Sequence, residues 1–417
     1  MLTRRTLLAA STALSLTPSV RAFAAPPTAM SGAAPAPGPV LVTVFLRGGM
    51  DSLAVVAPVD DANYIADRPP EMRLLADGDK PALRLDRAPA GLDFRLHPEM
   101  GAVRDLYQSE RIALVHASGI ANGTRSHFGA QELIERGIGN PDESARIYGG
   151  WMARWLAASG GARAPAFVAG AGVPEEFATH ADTIAAGDLR GGMSVPGGKQ
   201  AQTVLDHLYH DGNGAFEQAG RRTLRGITLI DGHLRAPDGK VMPYKPTGNV
   251  AYEETEIGRG LMTVARVIRM DLGIRAFAVD MGGWDTHENQ PPRLAALVGQ
   301  LSRALGAFHE DLHAKLGDIV VVVMSEFGRR LRSNKSNGTD HGHAGLTLVS
   351  APRILGGRLH GAWPGLSSDK LDNAVDLAMT TDIRSILAEL MSGPLATPAA
   401  ASAAFPNFTP KKVGLFA

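Results

Sequence analysis

The sequence predicts an α/β fold, a three-layer α/β/α sandwich built on a mostly parallel sheet. Three short apolar runs indicate its central strands: 40–46, 274–279 and 319–324. Each run is bounded by polar residues or glycine, as a strand buried on both faces of a parallel sheet would be. Amphipathic segments at 256–270 and 293–316 precede two of these strands and predict helices that cover the sheet.

The remaining elements follow from hydrophobic spacing and from helix start signals. Further strands are predicted at 112–115, 166–169 and 346–350, and further helices at 99–107, 127–136, 151–158, 200–210, 215–234 and 382–391. The segment from about 170 to 250 has Gly/Pro-rich connections. We interpret it as an inserted helical cap or peripheral region that covers the ligand crevice.

The N-terminus has the pattern of an export signal rather than of a folded element. Arg4 and Arg5 precede an apolar stretch, and small residues around Ala24 suit a signal peptidase. The paired arginines predict export by the twin-arginine translocase, to the periplasm or out of the cell. No later run approaches about 20 apolar residues, so no membrane span is expected. The chain is thus divided into a signal peptide, a Pro/Ala-rich tether and one α/β domain: 1–24, 25–39 and 40–417.

The composition excludes several classes of site and of partner. The sequence has no cysteine, so a disulfide framework, a thiolate nucleophile and a thiolate metal ligand are all excluded. Lysine plus arginine and aspartate plus glutamate number 42 each, which argues against a nucleic-acid or anionic-membrane partner recruited by bulk charge. Any metal must therefore bind to nitrogen and oxygen donors, and the partner is expected to be small.

Potential metal ligands follow the carboxyl ends of the three central strands. Asp51 follows the first strand, Asp285 and His287 follow the second, and Glu326 ends the third. Ligands bind outside the carboxyl ends of strands in open α/β sheets, so these side chains are expected to share one crevice. The loop after the third strand adds three more donors: Asp340, His341 and His343. Together they suit a divalent cation such as zinc, manganese or iron.

Six short motifs, spread over nearly the whole chain after the export signal, carry a resemblance to a known family. They are VFLRGGMDSL at 44–53, GTRSHFGAQ at 123–131, GGWDTHENQ at 282–290, SEFGRR at 325–330, GTDHGH at 338–343 and TTDIRSILAEL at 380–390. Together with the signal, these motifs resemble the exported family of unknown function DUF 1501. That family is similar in fold to the alkaline phosphatase and sulfatase superfamily, whose members hold one or two metals at strand ends and attack with Ser or Thr.

The resemblance implies an exported metal-dependent hydrolase of phosphate or sulfate esters with an alkaline phosphatase-like fold. It would use one or two divalent ions and act on a small anionic substrate or an ester-bearing polymer. Ser126 stands where the nucleophile is expected, and a metal-bound water is the alternative. Arg125 and Arg329, together with Arg330, would hold the oxygens of the ester group. The second hypothesis is a catalytically silent exported protein that binds an anionic ligand or polymer beside a structural metal.

Two positions depart from the pattern of the family and its superfamily. Phe327 follows Glu326 where the superfamily has a histidine after its acidic residue. His341 or His343 is expected to replace that ligand, and the number of ions stays open. Gly129 stands where the family has an acidic residue, so one possible carboxylate ligand is absent.

Several of these residues also have a purely structural interpretation, which the sequence leaves open. Ser126 is of the type preferred at a helix N-cap, and Asp51 and Asp285 suit turns in Gly-rich loops. Glu326, at the end of a buried strand, can instead pair with an arginine. His127 is expected to support a ligand rather than to bind the ion itself.

A competing motif lies on the helix predicted at 293–316. Residues 309–313 are HEDLH, the H-E-x-x-H pattern that supplies two histidine ligands and a glutamate base in zinc proteases. The apolar stripe of this helix leaves His309 at its flank and His313 toward solvent, whereas a protease site lies in a buried cleft. The protease interpretation is therefore disfavoured.

Overall fold

A mostly parallel nine-stranded sheet forms the middle layer of the fold. The computed structural model describes residues 38–89, 91–159, 166–248, 250–395 and 398–417. In chain order the described strands are β1 Val40–Leu46, β2 Val56–Pro58, β3 Leu83–Arg84, β4 Phe94–Leu96, β5 Ala113–Gly119, β6 Ala166–Ala169, β7 Thr183–Ala185, β8 Ala276–Met281, β9 Ile319–Ser325, β10 Gly345–Ser350, β11 Leu359–His360 and β12 Thr381–Asp382. The large sheet has the order β11-β5-β10-β9-β1-β8-β6-β7, with β12 paired to β5. Strand β10 runs antiparallel to both of its neighbours, β5 and β9.

Helices cover both faces of this sheet. In chain order the described helices are α1 Ser52–Val55, α2 Ala62–Asp67, α3 Gly101–Gln108, α4 His127–Arg136, α5 Trp151–Ala158, α6 Gly198–His210, α7 Ala215–Leu234, α8 Glu256–Ile268, α9 Gln290–Asp311, α10 Ile383–Ser392 and α11 Pro398–Ala404, with 3-10 turns at Pro70–Met72, Pro141–Ala145, Glu175–Phe177 and His313–Asp318. Helices α3, α8 and α9 pack on one face, and α4, α5, α10 and α11 pack on the other. None of the described helices is long and apolar enough to cross a membrane.

The central strands bury alternate side chains on opposite sides. Val42 and Val44 of β1 belong to the apolar cluster under α8 and α9, whereas Leu41 and Phe45 belong to the cluster under α5 and α10. Because both sides are covered, each strand is a continuous apolar run rather than an alternating one. The predicted α/β fold with a mostly parallel sheet and flanking helices is confirmed.

The segment predicted as a cap contains the helical hairpin α6–α7. Helix α6 buries none of its residues, whereas α7 buries Ile230 and Leu234 in the cluster that also includes α8. The guanidinium of Arg266 in α8 donates to the carbonyl oxygen of Leu189 at 3.1 Å. The segment therefore packs against α8 through α7 and through the backbone of Leu189. The predicted cap boundaries and the covering of the crevice stay predictions, as do the export signal and most of the tether, since residues 1–37 lie outside the described part of the chain.

Helix α9 differs from the prediction at its end and on one of its faces. It ends at Asp311, and the chain continues as a separate 3-10 turn that carries an exposed His313. His309 is only 2% exposed, so its predicted position at the flank is wrong. The reason is a second packed face: Ser302, two turns before His309, accepts a hydrogen bond from the backbone of Val103 in α3 at 3.1 Å. The two histidines of the HEDLH motif therefore share neither one helix nor one cleft.

Candidate metal centre

The three strand ends that were predicted to share a crevice are adjacent in the sheet. The last residue of β1, Leu46, is level with Met281 of β8 on one side and with Ser325 of β9 on the other. All three strands are parallel, so the segments that follow them leave the sheet at the same edge.

The side chain of Arg329 connects these segments through hydrogen bonds. Its guanidinium donates hydrogen bonds to the carbonyl oxygens of Gly48, Gly49, Trp284 and Thr339 and to the carboxylate of Asp285. The side chain is 0% exposed. The prediction that Arg329 holds a substrate is therefore wrong, because its donors are directed to the protein's own loops.

Two glycines allow the loops to approach this closely. Gly48 and Gly49 have φ angles of 124° and 74°. A Cβ atom on Gly48 would lie 2.4 Å from the backbone nitrogen of Asp285, and one on Gly49 would lie 2.4 Å from the ring of Phe327. Both the backbone conformation and the space therefore require glycine.

Four side chains meet above the strand ends, and we call them the histidine cluster: His127, Asp285, His287 and His341. One donor atom each of His127, Asp285 and His341 lies within 4.8 Å of the others, as a metal site requires. His287 adjoins them, because its Nε2 atom is 2.9 Å from Nε2 of His341 and 3.0 Å from Oδ1 of Asp285. The ring of Phe327 packs against His127 and His341 at centroid distances of 4.9 and 4.7 Å.

The Nδ1 atom of each imidazole in the cluster faces an acceptor. These acceptors are Glu326 Oε1 at 2.9 Å from His127, the carbonyl oxygen of Arg125 at 2.8 Å from His341, and Asp340 Oδ1 at 3.4 Å from His287. A carbonyl or an ionised carboxylate only accepts, so these acceptors favour the tautomer with the hydrogen on Nδ1, in which Nε2 presents a lone pair to the centre. Nε2 of His127 is buried and has no hydrogen-bond partner in the described part of the chain.

This arrangement suits a positive charge at its centre. The Nε2 atoms of His287 and His341 are 2.9 Å apart, and they lie 3.0 and 3.1 Å from Oδ1 of Asp285. Lone pairs on these atoms repel one another unless a cation or a shared proton lies between them. Donors around a tetrahedral zinc ion are roughly 3.3 Å apart, since each Zn–N bond is about 2.0 Å long. The donors of Asp285, His287 and His341 are 2.9–3.1 Å apart, and Nε2 of His127 is 3.5 Å from Oδ2 of Asp285, so these separations are close to those around a zinc-like ion.

The protonation states of the cluster suit a cation as well. Partial burial raises the pKa of Asp285, but the hydrogen bond from Arg329 and the charge of that guanidinium outweigh burial and lower the pKa to about 2. Burial lowers the pKa of His341, and the contacts with Arg125 and Asp285 offset this only in part. An ionised carboxylate and a neutral imidazole are the forms that bind metal ions.

Asp51 is at the same edge of the sheet but does not join the cluster. Both of its oxygens are taken by Arg68, at 2.7 and 2.8 Å, and Gln290 donates to one of them at 2.6 Å. Asp51 also caps α1 through the backbone of Ala54 at 3.3 Å. The predicted ligand role is corrected to a structural one, since this carboxylate is 0% exposed and its acceptor sites are occupied.

Glu326 supports the cluster rather than belonging to it. Its Oε1 accepts from His127 and from Nε2 of Gln131, each at 2.9 Å, and from the backbone of Gly48 at 2.8 Å. Glu326, which was predicted to be a ligand, therefore supports the cluster, and His127, which was predicted to be a support, belongs to it. The sequence signal that was missed is the spacing of His127 and Gln131, which places both on one face at the start of α4.

The other predicted ligands are placed around the cluster. Asp340 accepts from Asn334 at 3.2 Å and faces Nδ1 of His287, so it supports that ligand. His343 is directed elsewhere, with Nδ1 at 3.0 Å from Asp372 and Nε2 at 2.8 Å from the carbonyl oxygen of Ile120. The expectation that His343 binds the ion is corrected, because both ring nitrogens already have partners.

Ser126 and Arg125 immediately precede His127 of the histidine cluster. Ser126 is exposed and is the N-cap of α4, where its Oγ atom is 3.4 Å from the backbone nitrogen of Gly129. The guanidinium of Arg125 is paired with Asp376, a carboxylate that is 0% exposed. The structure thus gives Ser126 the capping role that the sequence left open. Arg125, which was predicted to hold the oxygens of the ester group, is instead paired with a carboxylate of the protein.

A family model supports the family resemblance over residues 244–391. The chain is similar to the PH0037 protein from Pyrococcus horikoshii (12% identity, 76% of this chain and 86% of that chain, TM-score 0.31). It is similar to Ps i-CgsB in complex with k-i-k-neocarrahexaose (9%, 86% and 72%, TM-score 0.34), and to a structure from work on glycosaminoglycan metabolism by Bacteroides thetaiotaomicron (12%, 89% and 74%, TM-score 0.36). No curated protein matches the sequence. Residues 244–391, which include Asp285, His287 and His341, match the model of the family described as "Protein of unknown function (DUF1501)".

Proposed function

We propose that the protein is an exported metal-dependent hydrolase of phosphate or sulfate esters. One observation carries this proposal: His127, Asp285 and His341 each offer a ligand atom within 4.8 Å of the others, Nε2 of His287 lies against two of them, and the Nδ1 atom of each imidazole faces an acceptor. A carboxylate or carbonyl behind each histidine is the arrangement that fixes metal ligands in proteins. The cluster is also accessible, since the side chains of Asp285 and His287 are 47% and 42% exposed.

The residues of the cluster have separate tasks in such a reaction. A divalent cation bound there would lower the pKa of a water molecule and polarise an oxygen of the ester. Glu326 and Asp340 fix the orientation of His127 and His287, and Arg329 fixes Asp285. The ring of Phe327 lies against two of the imidazoles and shields that side of the cluster from water.

The attacking group is better assigned to water than to Ser126. The hydroxyl of Ser126 caps α4, and among the described residues it makes no hydrogen bond to His127, Asp285 or His341. Ser126 remains the alternative nucleophile, because it directly precedes His127 and is exposed. A Ser126→Ala variant with unchanged turnover would assign the attack to water.

The second candidate function is a silent binding protein with a structural metal. The observation that favours it is the occupation of Ser126, Arg125 and Arg329, the three residues predicted to be catalytic, by contacts within the protein. Such a protein would bind zinc and an anionic ligand without turning over an ester.

The decisive experiment separates metal binding from turnover. Metal-free protein is titrated with Zn²⁺ by calorimetry, and turnover of p-nitrophenyl phosphate and p-nitrophenyl sulfate is then measured. We expect wild type and the His313→Ala variant to bind Zn²⁺, because His313 is exposed and lies outside the histidine cluster. The His341→Ala variant should lose Zn²⁺ binding, because His341 belongs to the cluster. Binding of Zn²⁺ without turnover of either ester would favour the silent protein, and absence of binding would refute both functions.

Export is tested separately: unchanged export of an Arg4→Lys, Arg5→Lys double variant would refute the twin-arginine signal.

A further inference from the structure

A pair of buried acids lies at the end of α4 that is farther from His127. Glu135, in the last turn of α4, is 5% exposed, and Glu176, in the 3-10 turn Glu175–Phe177, is 3% exposed. His127 precedes Glu135 by eight residues, which is about 12 Å along a helix. The proposed reaction uses neither acid. An ionised carboxylate loses its hydration when it is buried, so each of the two needs a countercharge or a proton.

Glu135 is the one of the two that has a countercharge. It is paired with Arg47, and its Oε2 atom accepts from the backbone nitrogen of Glu175 at 2.7 Å. The NH2 atom of Arg47 is also 3.0 Å from Oδ1 of Asp280, so this guanidinium serves two carboxylates. Within the described part of the chain, Glu176 forms no salt bridge, and its buried Oε2 atom has no hydrogen-bond partner. A proton is therefore the remaining way to neutralise Glu176.

The contacts of Thr43 also favour a protonated Glu176. Oγ1 of Thr43 is 2.8 Å from Oε1 of Glu176 and 3.2 Å from the carbonyl oxygen of Phe277. A hydroxyl has one hydrogen, and a carbonyl or an ionised carboxylate only accepts. Both contacts are hydrogen bonds at once if the carboxyl group of Glu176 donates to Thr43 and Thr43 donates to Phe277. In agreement, burial raises the pKa of Glu176 to about 8, aided by the charge of Glu135.

The other described elements around the turn supply no further cation to Glu176. The charged groups that act on it are Glu135 of α4, Arg47 after β1 and Asp280 of β8. Helix α5 packs on the turn through Gly150, where a Cβ atom would lie 2.0 Å from the carbonyl oxygen of Glu176. Arg154 of α5 instead donates to the carbonyl oxygens of Gly149 and Ala404, both at 2.6 Å. An ionised Glu176 thus reaches water or a cation only if the turn moves.

We infer that Glu176 is a pH-dependent latch. Protonated, it holds the turn Glu175–Phe177 between Thr43 of β1 and the end of α4, and its ionisation releases the turn from both. The contacts that open are the one between Glu176 and Thr43 and the one from the backbone of Glu175 to Glu135. The latch does not depend on a metal in the histidine cluster, although α4 carries His127 at its other end.

The latch gives the pH dependence a definite direction. In the closed turn the carboxyl group of Glu176 keeps its proton up to about pH 8, whereas in the open turn it ionises near the ordinary pKa of 4.5. Between these values the open turn has lost a proton that the closed turn retains. The open fraction therefore increases as the pH rises, by up to about ten-fold per pH unit, and levels off above about pH 8.

Hydrogen–deuterium exchange of the full-length protein at pH 6 and pH 8 measures the open fraction. The rates are corrected for the intrinsic effect of pH on exchange, segments 132–136 and 175–178 report on the latch, and α9 is the internal reference. The Glu176→Gln variant keeps the shape of the side chain and a donor for Thr43 but cannot ionise. The matched control is Glu175→Gln, which removes the neighbouring carboxylate of the same turn and keeps Glu176.

We expect the protection of both segments to fall ten-fold or more, relative to α9, from pH 6 to pH 8 in wild type and in Glu175→Gln. In Glu176→Gln the protection should be the same at both pH values. Wild-type protection that does not change between pH 6 and pH 8 would overturn the inference. A fall of the same size in Glu176→Gln would overturn it as well, because another group would then control the turn.

Discussion

Two groups of polar side chains lie at the same edge of the sheet and contrast in how their charges are neutralised. The carboxylate of Asp51 is fully buried and is held by Arg68 and Gln290 within 2.8 Å. The histidine cluster is partly exposed: Nε2 of His287 and His341 lie 2.9 Å apart, and Nε2 of His127 has no hydrogen-bond partner among the described residues. Both groups contain residue types that bind metals, but only the second has unshared lone pairs.

The contrast teaches that position at a strand end does not define a ligand. What matters is whether the protein itself supplies the countercharge. A buried carboxylate that is paired with an arginine has no remaining capacity for an ion, and removing one partner of such a pair leaves an uncompensated buried charge. The following predictions test the contrast, from the largest expected effect to the smallest.

The first prediction separates stability from metal binding. Asp51→Asn should destabilise the metal-free protein by about 3–5 kcal/mol, because Arg68 stays buried without its countercharge. His287→Ala, whose side chain is 42% exposed, should cost no more than about 1 kcal/mol but should abolish tight Zn²⁺ binding. Urea unfolding and a Zn²⁺ titration measure the two effects. A greater loss of stability in His287→Ala than in Asp51→Asn would break the contrast.

The second prediction uses an imidazole that is buried without a partner. Burial lowers the pKa of His309 to about 4, aided by the charge of Arg111, and neither ring nitrogen has a partner among the described residues. Between pH 6.5 and 4 the unfolded chain therefore binds a proton that the folded chain does not, so stability falls as the pH falls through this window. At pH 4 the loss from His309 is about 3 kcal/mol.

His309→Leu should remove this contribution, and urea unfolding at pH 4 and pH 7 measures it. The variant should also bind Zn²⁺ as wild type does, since His309 lies outside the histidine cluster. Loss of the metal in this variant would restore the HEDLH interpretation. An unchanged dependence of stability on pH would show that His309 is not a buried neutral imidazole.

The third prediction concerns the carboxylate behind His127. Glu326→Gln should weaken Zn²⁺ binding about 10–100-fold, because the charged acceptor that fixes Nδ1 of His127 is lost. Glu176→Gln is the matched control. Glu176 is also buried, but burial raises its pKa to about 8, so at pH 7 it is already neutral. Equal Zn²⁺ affinities for the two variants would show that Glu326 does not support the cluster.

The smallest effect is expected from adding a carboxylate beside the cluster. A Cβ atom on Gly129 would meet Oγ1 of Thr124 at 3.5 Å and Cβ of Ser126 at 3.7 Å, which are ordinary contacts. Gly129→Asp should stabilise the protein by about 1 kcal/mol, since it replaces a helical glycine and places a negative charge in the first turn of α4. Gly129→Ala separates the two terms in a thermal unfolding series. Destabilisation by both variants would contradict the open space at this position.

Local pattern predicted the elements that depend on local chemistry. Strands β1 and β6 and helices α4, α5 and α7 have the predicted bounds, because their apolar residues recur with the period of the element and their ends carry caps or turn residues. Ser126 and Gly137, which end α4 on either side, show this directly: one caps the helix, and the other adopts the left-handed conformation after it. The adjacency of three strand ends likewise follows from parallel pairing.

The roles of individual ligands could not be read in this way, because they depend on partners far along the chain. Asp51 is excluded from the cluster by Gln290, 239 residues away, and by Arg68, which no motif marked. His127 is held in the cluster by Glu326, 199 residues away, whose carboxylate faces its Nδ1 atom at 2.9 Å. The sequence by itself determined which edge of the sheet collects the charged residues. Tertiary structure decided which of them keep free lone pairs, since pairing in a buried site depends on distances that only the packed loops establish.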